Sequence, residues 1–245
     1  MIKAIIIDDE QLARDLIKRF LQDFPQIELV AECANGFDGF KAINEHQPQL
    51  IFLDVQMPKL TGFEMLELVD NPPVIIFSTA FDQYAIKAFE QSAADYLLKP
   101  YAKSRFAEAI DKALKKVNNE NSNQLVANQV LEEARPEQLD RIVIKNGAKI
   151  NIIGIDQIEY FQAQDDYVAV FSGGKKHLKQ TTMKYLADHL SDDFVRVHRS
   201  YIVKVDEIDK LEPYSKDSYV AILKSGEKIS VSRSGYQTLK ERLGI

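Results

Sequence analysis

The 245-residue chain reads as two domains of different class: an open, doubly wound α/β sheet, then a mainly β, antiparallel domain. Three observations predict this. Residues 1–117 alternate short, unbroken apolar runs with helix-length segments of helical spacing. Residues 138–245 break instead into short β-branched or aromatic stretches, many of them alternating, separated by turn pairs. Charge divides along the same line. Residues 1–117 hold 13 basic and 18 acidic side chains, residues 118–137 one Arg and four Glu, and residues 138–245 17 basic and 15 acidic. An acidic half is thus tied to a mildly basic one, which the overall charge of −6 conceals.

In the first half the apolar runs lie at 4–7 (AIII), 27–31 (IELVA), 50–53 (LIFL), 74–77 (VIIF) and 96–98 (YLL). Strands covered by helices on both faces look like this, continuous rather than alternating. The intervening segments carry helical stripes, such as Leu12, Leu16 and Phe20, or Phe106, Ile110, Ala113 and Val117. Five β–α repeats imply a parallel, five-stranded sheet wound on both faces. Residues 118–137 are rich in Asn, Gln and Glu without a sustained apolar stripe. They predict a solvated linker, with a helical extension through Gln124–Leu131.

The second half supplies IVIKN, KINII, IEYFQA, YVAVF, KHLKQ, RVHRSYIV, IDKLEPY, YVAILK and KISVS as strands, with turns at Gly173-Gly174 and Ser225-Gly226. Helical spacing appears only at 182–190, with Met183, Leu186 and Leu190 on one side, and at 234–242. That is too few helices for a helix-turn-helix. No apolar run is long enough to suggest a membrane span, and MIKAIIIDDE reads as a buried strand, not a signal peptide. The single cysteine, Cys33, excludes an internal disulfide framework and fits a cytoplasmic protein, where it serves as an apolar filler.

In a doubly wound sheet, ligands bind outside the carboxyl ends of the strands. There the sequence places Asp8 and Asp9 after strand one and Asp54 after strand three. Thr79 ends strand four, and Lys99-Pro100 follows strand five. Each has an ordinary reading alone: a helix cap, strand-end filler, a solvated charge. Together they gather three carboxylates, a hydroxyl and an ammonium, and such carboxylates need a cation to stay ionised. Oxygen ligands without His or Cys suit a hard ion, Mg²⁺ in particular. A carboxylate beside that ion can attack a phosphoryl group and form an acyl phosphate.

The blocks IIIDDE, FLDVQMPKLTGFEML, FSTA and DYLLKP, in that order, make residues 1–117 resemble a CheY-like receiver domain over its whole length. The resemblance implies a flavodoxin-like strand order, with Asp54 as phosphoacceptor. It also implies Mg²⁺ held by Asp8, Asp9, Asp54 and the main-chain carbonyl of Gln56. Thr79 becomes the switch hydroxyl, Tyr96 the aromatic whose rotamer follows it, and Lys99 the phosphate-pairing ammonium across a cis Lys99-Pro100 bond. Haloacid-dehalogenase phosphatases also form an aspartyl phosphate, but they place a second Asp where this chain has Gln56.

The densest basic stretch of the second half is FVRVHRSYIVK, 194–204. Period two puts Arg196, His198 and Ser200 on one face and Val197, Arg199 and Tyr201 on the other, unless the chain turns after His198. By spacing alone this is equally an amphipathic strand with solvated arginines. With IEYFQAQDDYVAVF, LADHL and ISVSRSGYQTLKERL, however, residues 138–245 resemble a LytTR DNA-binding domain. That family inserts loops, not a recognition helix, into major grooves. The resemblance implies DNA contacts from the loop at Asp166 and Tyr167, the turn at His198, Arg199 and Ser200, and the turn at Ser232 and Arg233. Lys204 stands where the family usually has Asn, which turns the expectation there to phosphate. Asp165 and Asp166 bring negative charge to that edge, either to read a cytosine amine or to shape the loop.

The combined expectation is a cytoplasmic transcription regulator, not an enzyme. A sensor histidine kinase phosphorylates it, it dimerises through the receiver's last helices, with Tyr84, Ala88 and Phe89 either on that surface or in the core, and it then binds double-stranded DNA. A receiver whose second half binds a protein is the competing reading; no membrane partner is expected.

Overall fold

The computed structural model describes residues 1–80, 93–118, 138–147, 149–215 and 218–244. The chain separates into two compact units, Met1–Arg135 and Pro136–Ile245. Tyr84, Ala88 and Phe89, and the helical extension expected over Gln124–Leu131, lie outside the described residues.

The first unit runs β1 (Ile2–Ile7), α1 (Gln11–Leu21), β2 (Ile27–Cys33), α2 (Gly36–His46), β3 (Leu50–Leu53), α3 (Gly62–Leu66), β4 (Val74–Thr79), β5 (Asp95–Leu98) and α4 (Lys103–Val117). All five strands are parallel, in the order β2-β1-β3-β4-β5. The two central strands, β3 and β4, are buried at every residue, as their unbroken apolar sequences require. Register places the strand ends level: Ile7 faces Leu53, Leu53 faces Phe77, and Thr79 faces Leu98. The residues just past those pairs share one edge.

One face of the sheet packs Ile6, Phe52 and Ile76 against Ile17, Phe106 and Ile110. Phe106 stacks on Phe52 with ring centroids 5.5 Å apart, a burial whose loss costs about 3–5 kcal/mol. Helix α1 brings only the Phe20 end of the Leu12, Leu16 and Phe20 stripe onto the core, where the Phe20 ring centroid lies 5.4 Å from that of Phe106. Its buried residues are Ala13, Arg14, Ile17 and Leu21, and Leu12 is 84% exposed. Two apolar stripes run side by side on this helix, and the sheet takes the one adjacent to that expected.

The second unit comprises β6 (Arg141–Asn146), β7 (Lys149–Gly154), β8 (Ile158–Gln164), β9 (Tyr167–Ser172), β10 (Lys175–Lys179), α5 (Met183–His189), β11 (Phe194–His198), β12 (Tyr201–Lys204), β13 (Ile208–Ser215), β14 (Ser218–Leu223), β15 (Lys228–Val231) and α6 (Arg233–Leu243). A five-stranded antiparallel sheet, β10-β9-β8-β12-β11, forms its centre. Alternation decides what covers each face. Ile202 and Phe161 point to a core shared with Ile142, Ile153 and Leu186, from the β6–β7 hairpin and α5. Val203 and Val197 point the other way, toward Ala221, Ile229 and Leu239, from the β13-β14-β15 sheet and α6. The RVHRSYIV segment is two strands, because the chain reverses after His198.

Candidate functional site

The first unit's strand-end edge holds a compact charged group. Asp8 and Asp54 are 1% and 5% exposed, while Asp9 is exposed. One oxygen from each of these three carboxylates lies within 4.8 Å of the others. Main-chain bonds fix the two buried ones. Asp8 N donates to Cys33 O at 3.0 Å and Asp54 N to Ile7 O at 2.9 Å, extending the ladder just past the strands. Gln56 N donates to Asp54 Oδ1 at 3.1 Å. Beside them stands Gly62, where any Cβ would come within 2.3 Å of Asp54 O, so only glycine lets α3 start this close.

Lys99 enters from β5, two strand spacings from Asp54, or roughly 10 Å. Its long stem crosses that gap to set Nζ 2.8 Å from Asp8 Oδ2, 2.9 Å from Asp54 Oδ2 and 3.1 Å from Glu10 Oε2. Lys99 N donates to Thr79 O at 2.9 Å, which ties the buried switch-position residue to the lysine's own backbone. Tyr96, also buried, lies on β5, and its carbonyl accepts from Arg105 Nη2 at 2.6 Å. Burial alone would lower the Lys99 pKa, but the hydrogen bonds and attraction of Asp8 and Asp54 outweigh it and the net shift is upward. Asp8 shifts upward too, chiefly through burial and despite Lys99.

Four carboxylates, Asp8, Asp9, Glu10 and Asp54, against the Lys99 ammonium leave this group short of positive charge. Asp8 Oδ2 is buried, and the ammonium 2.8 Å away that meets it is shared with Asp54 and Glu10. An all-oxygen set with buried carboxylates that share one ammonium fits a hard divalent cation such as Mg²⁺.

The second unit also gathers its expected residues at one end. Strand β12 pairs with β8 so that Tyr201 faces Gln162. The turn at Arg199–Ser200 therefore lies beside the turn at Asp165–Asp166, and Ala163 N donates to Ser200 O at 2.9 Å. A second bond crosses from Gln162 Nε2 to Tyr201 Oη at 2.9 Å. The third turn joins through Ser232, whose N and Oγ both donate to Val197 O, at 2.9 and 3.0 Å. Ser232 Oγ also accepts from Gly235 N at 3.1 Å, capping α6. A Cβ at Gly235 would fall 2.0 Å from Val197 O, so this close approach again requires glycine. Arg199, Arg233, Asp166 and Tyr167 are all exposed along this edge.

His198 and Arg196 brace the turn that presents Arg199. Ser200 N donates to His198 Nδ1 at 3.2 Å, and Arg196 Nη2 donates to Arg199 O at 3.0 Å. Lys204 is not brought to this group. It ends β12, roughly 10 Å along the strand from Tyr201, and its Nζ donates to Asp156 O at 2.6 Å.

Comparison with known proteins accounts for both edges. Residues 4–111 match the response regulator receiver domain, and residues 148–244 match the LytTr DNA-binding domain. Along its whole length the chain is 35% identical to the transcriptional regulatory protein BtsR of Escherichia coli (strain K12), over 248 residues covering 100% of both chains. The chain belongs to the LytTR response regulators. Its similarity extends to the sensory transduction protein LytT of Bacillus anthracis, 32% identical over 250 residues and 100% of both chains. An uncharacterized response regulatory protein of Vibrio parahaemolyticus is 37% identical over 247 residues, 100% of this chain and 99% of that one. This LytTR response regulator is thus a two-component protein of the DNA-binding, transcription-regulating kind. Among its described residues, no helix is long and apolar enough to cross a membrane.

Sequence reasoning passed over three features of the regulator. Glu10 is a third carboxylate on Lys99. Arg14 lies buried behind the acid pair. The Ser232–Val197 brace is made largely of main-chain atoms, which no side-chain pattern reveals. Arg14 did leave a signal: it falls on the buried Ile17–Leu21 stripe, where a charged residue needs a partner.

Proposed function

We propose that Asp54 accepts a phosphoryl group from a sensor histidine kinase in the cytoplasm, and that acceptance promotes dimerisation and DNA binding by the second unit. The observation that carries this reading is the buried Asp54 carboxylate, held by Lys99 and Gln56 N and flanked by Asp8 and Asp9. Asp8, Asp9, Asp54 and the Gln56 carbonyl would hold Mg²⁺, which supplies charge neutralisation for the transferring oxygens. An Asp54 carboxylate oxygen attacks phosphorus, and the new P–O bond forms as the P–N bond of the kinase's phosphohistidine breaks. The bonding pair leaves with the imidazole. Lys99 neutralises charge on the phosphoryl oxygens, and Thr79 turns its hydroxyl toward one of them while Tyr96 follows. Slow hydrolysis of the acyl phosphate resets the regulator.

In the second unit Arg199 and Arg233 are placed to make bidentate contacts with guanine or phosphate, with Ser200, Ser232, Asp166 and Tyr167 beside them. His198 serves the turn. Lys204, held on Asp156 O, is assigned at most a distal phosphate contact. Incubating the chain with Mg²⁺ and acetyl phosphate tests the central step: the parent becomes labelled, and Asp54→Asn does not. Undiminished labelling of that variant removes the assignment.

A further inference from the structure

We propose that Arg14 is a positioning residue that aims the Asp8–Asp9 pair at the cation. The inference rests on the proposed reading of that pair. Arg14 is only 8% exposed, an uncommon place for a guanidinium. Its Nη1 donates to Asp8 O at 2.7 Å and also to Asp9 O at 3.1 Å. Its Nη2 donates to Gln11 Oε1 at the start of the same helix. One planar group therefore holds the carbonyls of both acids from behind, while their carboxylates face Lys99 and Asp54.

Two features separate this from ordinary packing. Arg14 makes no ion pair with any carboxylate among the described residues, so a buried cation has been placed without a counter-ion of its own. What offsets its burial is the nearby acid cluster, which it joins through the main chain rather than by occupying carboxylate oxygens. Those oxygens stay clear of Arg14 and turn to the Lys99 side, where Asp8 Oδ2 lies 2.8 Å from Lys99 Nζ. The two carbonyls also belong to consecutive residues, so fixing both fixes the peptide plane between Asp8 and Asp9. That plane sets the relative direction of the two side chains. A lysine keeps the charge but cannot keep the fork.

The test titrates Mg²⁺ alone into the unphosphorylated full-length chain, followed by amide chemical shifts and by the rise in thermal midpoint. Losing an outer partner of a metal ligand weakens affinity by about 10-fold or more. Arg14→Lys should therefore need about 10-fold more Mg²⁺ for half-saturation, with its metal-free midpoint close to the parent's. Labelling at saturating Mg²⁺ should recover to within about twofold of the parent. Gln11→Ala leaves the fork in place and removes its outer anchor, together with an exposed bond to Asp15 on the same helix, so it should shift Mg²⁺ demand the same way by less. Should Arg14→Lys fail to fold, the Gln11→Ala titration decides alone. Parent-like Mg²⁺ affinity in the folded variants overturns the role of Arg14. A parent chain that takes no Mg²⁺ overturns the cation site itself, a distinct result.

Discussion

The two edges of this regulator place charge in opposite ways. On the receiver edge, Asp8, Asp54 and Lys99 are sunk among strand ends, and each charge is held against another within 3 Å. On the edge proposed to meet DNA, Arg199 and Arg233 stand exposed at turns, and the bonds that aim the turns end on main-chain carbonyls. Phosphoryl chemistry needs charges at fixed separations in a low dielectric, where each is strong and none can be screened. Recognition of a polyanion needs charges that reach out and exchange counterions. The difference teaches that the same residue types answer to different controls: packing on one edge, salt on the other.

The sharpest way to break the comparison is on the exposed edge. Gly235→Ala drives a Cβ into Val197 O and must part α6 from the β11 turn. We expect a loss of more than about 3 kcal/mol in stability of the second unit, with DNA binding abolished and Asp54 labelling unchanged. A stable, DNA-binding Gly235→Ala variant, seen by thermal melting and gel shift, removes the brace from the account.

Next come the arginines. Arg199→Ala and Arg233→Ala should each cost about 1–3 kcal/mol on the specific site and little on random DNA. Normal binding by both variants sinks the loop-insertion reading. Lys204→Ala, by contrast, should shift affinity by less than about 0.5 kcal/mol, because its ammonium is held away from the reading turns. A uniform loss on all DNA, with a salt slope lower by about one, would instead restore it as a phosphate contact.

Salt itself sharpens the contrast. Between about 50 and about 200 mM KCl, DNA affinity should fall at least ~10-fold, while the rate of Asp54 labelling by acetyl phosphate changes less than about twofold. Equal sensitivity on both edges defeats the distinction. The smallest effect concerns the neighbour of the acid cluster. Burial pushes the Cys33 thiol up to about 11, so its thiolate stays scarce until the pH rises through that value. Alkylation at mildly alkaline pH should be slow in the folded chain and fast in denaturant. Rapid folded-state labelling shows that the edge is open to water.

The legibility of the two edges in sequence follows the same physics. Asp8, Asp54 and Lys99 were readable because a strand end is marked by where an apolar run stops, and chemistry confines the residue types found there. The five strands and helix α4 were equally plain, since Phe106, Ile110 and Ala113 form a single stripe. Helix α1 was readable as a helix, but not the face it buries, because Leu12, Leu16 and Phe20 form a stripe as regular as the one the sheet accepts. Only tertiary packing chooses between them. Spacing alone left the reversal after His198 open, because RVHRSYIV has β-branched residues on both sides and no glycine at its turn; only the resemblance implied a turn there. Lys204 lies in the same basic stretch as Arg199, and only the course of β12 shows that it stands at the opposite end of that strand.

The joint between Ser232 and Val197 bears on how such a regulator diverges. Its acceptor is a peptide carbonyl, its donors are a peptide amide and one hydroxyl, and its clearance is a missing side chain at Gly235. None of these parts depends on which residue occupies 199 or 233. If Arg199 and Arg233 read bases as proposed, a duplicated copy of the gene can therefore drift at those codons and acquire another operator, while the frame that aims them is inherited intact.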